Sequence, residues 1–395
     1  MIKVKEWIKL AKSGGICGIL LMIRPFIYLL FSRGRSWEEH AAIDFSAMIF
    51  ILYAFICFYF AWQTLAKSYS SFGKLLMTRT PLIWFIIFTI YGAISMLWSV
   101  NLPLTAFRAF ECMAMILLIV AIMQTLFTTC NTDKIIDWTI LYVVIEIIFA
   151  LLRVLQWSTS FYWLSQSSQM VSTVFFFMAL YYPKKKWYHY LIIIMSIISG
   201  STVAYIGMAI GLLSILWKKT KYKPLIIVGA IAFCLSVLII GPQKVLKETV
   251  FYDKDSISLE ETSGRDHTMQ VSIETIKANP WGLGFFAGEP LIFYSRDLAA
   301  INAHNSLFSA GIGTGYIGMI MMAIYLLGMF ISVFSKYIPT KYKASLIGCF
   351  FVGFLHCMGN PALGSRVYGA WLSVTVLFTL ICSFYVYGKY VKTSK

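Results

Sequence analysis

Residues 188–217 read YHYLIIIMSIISGSTVAYIGMAIGLLSILW, an apolar stretch flanked by lysines at both ends. As one helix rising about 1.5 Å per residue it would run to about 45 Å, half as long again as the ~30 Å hydrocarbon core of a bilayer. Lys184, Lys185 and Lys186 precede it, and Lys218, Lys219, Lys221 and Lys223 follow it. Lysine-rich loops stay on the cytoplasmic side. The segment is therefore expected to leave and return, turning at Ser199-Gly200-Ser201-Thr202. Irregular backbone at that depth is tolerated only where protein buries it or a cavity opens onto it, so the turn is expected to floor an outward-facing depression.

Working outward from this hairpin, apolar runs near 15–31, 41–66, 82–99, 106–126, 135–157, 169–182, 224–241, 305–333, 344–362 and 366–386 bring the expected number of spans to about twelve. Both termini then lie in the cytoplasm. With 59% hydrophobic and 13% charged residues over 395 positions, the composition excludes a soluble domain and implies an all-α, polytopic membrane protein. The opening MIKVKEWIKLAK carries four lysines and no small-residue cleavage site, so it reads as a cytoplasmic anchor and not a signal peptide. Of 33 lysines and arginines, 21 fall in segments assigned inside and ten in segments assigned outside, which accounts for the net charge of +16 without nucleic acid. Anionic membrane lipid is the expected partner of that charge. The eight cysteines lie in spans or beside one, and no CxxC or Cys/His ligand spacing occurs, so neither a disulfide framework nor a zinc site is expected.

The chain reads as a single integral membrane domain, 1–395, with one large external loop, 242–303, inserted between spans 9 and 10. Nine of the seventeen acidic residues fall in this loop. Within it RDHTMQVSIETIKANP predicts a helix of three to four turns that Asn279-Pro280 stops. Ordered loops of this length serve as lids or binding elements.

Polar groups at the outer face are the candidates for chemistry. His304 opens the span INAHNSLFSAGIGTGYIG with Asn305 beside it; it reads either as a base that accepts a proton from an attacking hydroxyl, its tautomer fixed by Asn305, or as a helix-start residue contacting headgroups. Arg108, Arg265, Arg296 and Arg366 lie on the same side. Their guanidinium forks suit the oxygens of a diphosphate, and singly each also suits interfacial snorkelling. Arg108 and Glu111 are one turn apart and suit a pair. Glu146 and Arg153 read as an interior structural pair, and His356 as a satisfied interior histidine, while His40 and His189 fall at interfaces. His267 either assists at the site or decorates the loop helix, and the hydroxyls of Ser201 and Thr202 suit a turn that approaches a ligand closely. The Asp253-Lys254-Asp255 spacing reads as a solvated loop, so neither a metal nor another cofactor is expected.

Four segments together carry a resemblance: WSVNLPLTAFRAFE (98–111), IISGSTVAYIG (197–207), SGRDHTMQVSIETIKANPWGLGFF (263–286) and AHNSLFSAGIGTGYIG (303–318). In this order, in a chain of about twelve spans, they are similar to the O-antigen ligase and O-antigen polymerase superfamily. The resemblance implies a GT-C-like membrane glycosyltransferase of the bacterial inner membrane, with its site beneath a large periplasmic loop. Its donor would be an undecaprenyl-diphosphate-linked oligosaccharide, its acceptor a second glycan, and a chain-length regulator a further partner. By the same resemblance Arg265 and Arg108 contact the lipid diphosphate and His304 is the activating base; the reading of the residues adds Arg296, Arg366, Ser201 and Thr202 to the diphosphate site, with Asn305 and His267 supporting it. Ligases of the family carry an arginine in the hairpin motif where this chain has Thr202, a departure that favours a polymerase. A lipid-linked oligosaccharide flippase is the rival outside enzymes, against which stands the lack of a two-fold internal repeat.

Overall fold

The computed structural model describes residues 4–31, 44–67, 71–157, 171–182, 186–198, 202–217, 265–295, 303–359, 362–364, 367 and 369–391. Every regular element among them is a helix. In order these are α1 (Val4–Lys12), α2 (Gly15–Phe31), α3 (Phe45–Lys67), α4 (Ser71–Thr78), α5 (Leu82–Ile94), α6 (Leu102–Thr129), α7 (Thr132–Trp157) and α8 (Phe176–Leu180). They continue as α9 (Trp187–Ile198), α10 (Thr202–Trp217), α11 (Arg265–Ala278), α12 (Gly288–Ser295), α13 (Ser306–Val333), α14 (Thr340–Gly359) and α15 (Gly369–Val386). Six are long and apolar enough to cross a membrane, or up to nine if three sharply bent pairs are each one span. The expected span 224–241 lies outside the described residues.

The decisive stretch is not one straight helix: α9 and α10, on either side of residues 199–201, meet at 119°. Gly207 and Gly211 let α10 lie against α14, where a side chain at 207 would meet the Val352 backbone at 2.9 Å and one at 211 the Gly348 backbone at 3.0 Å. Close backbone approach through small residues is how helices associate in lipid, where burial of apolar surface supplies no drive. The same principle sorts the centre from the rim. Of the apolar windows of α6 and α15, 78% and 89% are buried in protein, against 22% for α3, whose apolar residues face outward.

The loop helix α11 ends at Ala278, with Asn279 bonding back to the Thr275 carbonyl (3.1 Å), as the Asn279-Pro280 stop predicts. The segment that follows departs from expectation. PWGLGFF does not lie over the bundle; Gly282, Gly284, Phe285 and Phe286 are buried in it. The reason is a break in α13, which the sequence presents as one apolar span. At Gly315 the chain turns to φ 68°, ψ −164°, which exposes helix backbone groups that need partners. The inserted segment supplies them. Leu283 N donates to Ile312 O (2.9 Å), Gly284 N to Gly313 O (2.9 Å), and Tyr316 N to Pro280 O (3.0 Å). Its other edge is held by Val100 N on Leu283 O (3.0 Å), by Phe285 N on Ser95 Oγ (3.0 Å), and by the Trp98 indole N–H on Trp281 O (3.0 Å).

Candidate functional site

The start of α6 is set by Asn101, whose side chain accepts Leu104 N at 3.1 Å, with a proline in the first turn. This aims Arg108 and Glu111 from one face of the helix. As expected they pair, Arg108 Nη1 to Glu111 Oε2 at 2.7 Å. The other carboxylate oxygen faces Arg24 of α2 at 3.4 Å, and the same Arg24 nitrogen donates to Val367 O at 2.5 Å. Arg24 and Glu111 are buried, whereas the Arg108 side chain keeps 18% exposure. A guanidinium at membrane depth is tolerated when paired in this way. Glu146 is also buried, accepting the Tyr142 hydroxyl at 3.1 Å and lying within electrostatic reach of Arg24. The side chain of Arg153, the partner expected for Glu146, lies outside the described residues.

The start of α13 is built differently. Asn305 caps the helix, accepting Leu307 N at 2.8 Å and Phe308 N at 3.3 Å, and donates its amide to Met358 O at 2.9 Å. His304, immediately before the cap, is half-buried and sits at φ 50°, a left-handed conformation unusual for any residue but glycine. Beside it Glu289 of α12 accepts both Ala303 N (2.6 Å) and Ser309 Oγ (2.5 Å).

These two constructions meet through a chain of contacts. Asn305 holds the end of α14 at Met358, and the next residue, Gly359, abuts Val203 at the start of α10. Leu363 N then donates to Ser306 Oγ at 3.1 Å, and Gly364 packs on Ser306 and Ser309. Val367 reaches Arg24 and through it Glu111 and Arg108. The starts of α6, α10 and α13 and the α14–α15 connection thus converge at one end of the bundle.

Of the expected site residues, His304, Asn305 and Arg108 are placed there. Thr202 begins α10 at the same end, although its side chain, like that of Arg265 at the start of α11, lies outside the described residues, as do Ser201, Arg296 and Arg366. His267 is exposed on the first turn of α11. His356 is buried with Nε2 2.9 Å from Thr173 Oγ1, the satisfied interior histidine expected. His189 is buried, stacked on Tyr182 and Tyr188, with Nδ1 accepting Lys186 N at 3.0 Å. His40 and Asp253-Lys254-Asp255 lie outside the described residues. Among the described residues no group of three His, Cys, Asp or Glu side chains is arranged to hold a metal.

Sequence reasoning missed Arg24 and Glu289. Arg24 carried a signal, since a lone charge in GICGILLMIRPF is costly in lipid and marks an interior partner. Glu289 carried none, being one acid among nine in its loop.

Residues 187–323 match the family model described as O-antigen ligase. The matched segment runs from the start of α9 well into α13 and includes Thr202, Arg265, Glu289, His304 and Asn305. It bears out the resemblance to the O-antigen ligase and polymerase superfamily. No curated protein matches the chain.

Proposed function

We propose, from the premise of an O-antigen ligase region over 187–323, that this protein is a membrane glycosyltransferase acting as a polymerase of O-antigen, capsule or exopolysaccharide. It transfers an undecaprenyl-diphosphate-linked glycan to the non-reducing-end hydroxyl of a second lipid-linked repeat unit, at the periplasmic face of the inner membrane. In this reading the acceptor oxygen attacks the anomeric carbon as the bond from that carbon to the diphosphate breaks. The hydroxyl proton passes to the His304 imidazole and undecaprenyl diphosphate leaves; a single displacement inverts the anomeric centre. Arg108 and Arg265, with Arg296 and Arg366, stabilise the charge that grows on the leaving diphosphate. Arg108 suits this role because Glu111 orients its guanidinium while part of it stays open. Asn305 fixes the turn that carries the base, and Ser201, Thr202 and His267 complete the surroundings.

The observation that carries the reading is His304, held left-handed at the head of α13 on the same end of the bundle as Arg108. Thr202, where ligases carry arginine, favours the polymerase over transfer to lipid A core. The test is a gel of surface polysaccharide from a strain lacking the gene, complemented with the wild-type or His304→Ala form. A polymerase leaves one repeat unit on the lipid A core when absent. A bare core with long chains on undecaprenyl diphosphate indicates a ligase, and single repeat units trapped inside the cell indicate a flippase. His304→Ala is expected to reproduce the deletion at wild-type protein levels; normal polysaccharide from it overturns the assignment of the base.

A further inference from the structure

The scheme above leaves one acid beside the base unused. Glu289 is 3% exposed and opens α12, next to the apolar cluster of Val271, Ile276, Phe293, Ala303 and Ile312. A carboxylate in such surroundings is unfavourable unless hydrogen-bonded, and an apolar residue would fill the space without that cost. Its bonds are specific. A single oxygen, Oε1, accepts Ala303 N at 2.6 Å and Ser309 Oγ at 2.5 Å. These two donors come from either side of His304, one from the residue before it and one from the first turn of α13. The carboxylate therefore closes a bracket around a residue whose φ of 50° persists only where its surroundings hold it. Asn305 secures the same turn from the other side through Met358 O.

Resting on the reading of His304 as the base, we infer that Glu289 is a positioning residue for it. Its carboxylate clamps Ala303 and Ser309, and so sets the direction in which the imidazole meets the acceptor hydroxyl. Bonds to a charged acceptor are shorter and about twice as strong as neutral ones, which suits an acid to holding a strained turn. In this role Glu289 acts through His304 and not on the donor or acceptor directly. A displacement of ~1 Å at a catalytic group costs about a hundredfold in rate, so the clamp acts on turnover and not on donor binding.

The experiment uses the full-length protein in lipid nanodiscs, with undecaprenyl-diphosphate-linked oligosaccharide extracted from the producing strain as donor. Glu289→Ala is expected to lower kcat by about a hundredfold with the donor KM unchanged. Glu289→Gln, whose amide oxygen still accepts both bonds, is expected to recover most of that loss. Added to His304→Ala, Glu289→Ala is expected to cost nothing more of the residual rate, because a residue acting only through His304 has nothing left to position. Full kcat in Glu289→Ala while His304→Ala is inactive overturns this inference and leaves the base in place. Full activity in His304→Ala overturns the base itself. A raised KM alone, or a further loss in the double variant, shows that the carboxylate acts elsewhere and overturns the inference. If Glu289→Ala does not reach the membrane folded, Ser309→Ala removes one of the two bonds; an intermediate fall in kcat supports the clamp, and an unchanged kcat refutes it.

Discussion

Replacing Gly315 by alanine tests the account of the broken α13. An ideal Cβ at this position lies 1.9 Å from Pro280 O, a backbone atom that no side-chain rotation can move, and φ 68° is itself unfavourable for an L-residue. Positive φ with extended ψ, a region open essentially to glycine alone, costs an L-residue roughly 1–3 kcal/mol. Relief of the clash by withdrawing the inserted segment breaks the Leu283–Ile312, Gly284–Gly313 and Tyr316–Pro280 bonds, each contributing about 1 kcal/mol net. The loss is then about 4–6 kcal/mol, large against the ordinary effect of one substitution. Gly353→Ala is the matched control, since its Cβ meets nothing nearer than Leu377 at 3.4 Å. There alanine is expected to be neutral or to stabilise the helix by up to about 1 kcal/mol. The assay is thermal unfolding of the detergent-solubilised protein, monitored by the monodisperse fraction, together with limited proteolysis across 265–295. Gly315→Ala is expected to lower the midpoint by several degrees and expose the segment to protease. If it melts with the wild type and stays resistant, the inserted segment does not hold α13, and the reasoning fails.

Substitutions at two further positions address the site. Arg24→Gln removes one partner of a buried ion pair and its tie to Val367 O, and is expected to destabilise by roughly 3–5 kcal/mol, read as a lower unfolding midpoint with loss of transfer. Arg24→Lys, which keeps the charge but replaces the planar guanidinium with a compact ammonium on a flexible stem, is expected to fall between the wild type and Arg24→Gln in the same assay. Asn305→Ala removes a helix cap worth about 1 kcal/mol together with the tie to Met358 O, and is expected to lower transfer more than the unfolding midpoint. An equal fall in both would mean that Asn305 only stabilises the helix.

How far the residues spoke for themselves differs from element to element. The Asn279-Pro280 stop, the break at SGST and the Arg108–Glu111 pair were all readable, because each depends on neighbours within a turn or two. The role of PWGLGFF was not. Its composition suits a lid as well as an insertion, and what decides is the bend at Gly315, some thirty residues later, whose open backbone groups it satisfies. Glu289 was hidden for the same reason, its two donors lying fourteen and twenty residues away.

Hydropathy and lysine placement by themselves determined that the chain is a helical membrane protein, since the bilayer admits few ways to satisfy a buried backbone. They could not say which spans form the centre. α3 and α6 are both apolar, yet one is 22% and the other 78% buried, because lipid tails are as apolar as leucine and leave no mark in composition. That sorting, and the gathering of Arg24, Arg108, Glu289 and His304 from α2, α6, α12 and the head of α13 toward one end of the bundle, was decided only by tertiary structure. In lipid it is close backbone packing and the pairing of buried charges and open amides, all of them contacts between distant parts of the chain, that select one arrangement of the helices.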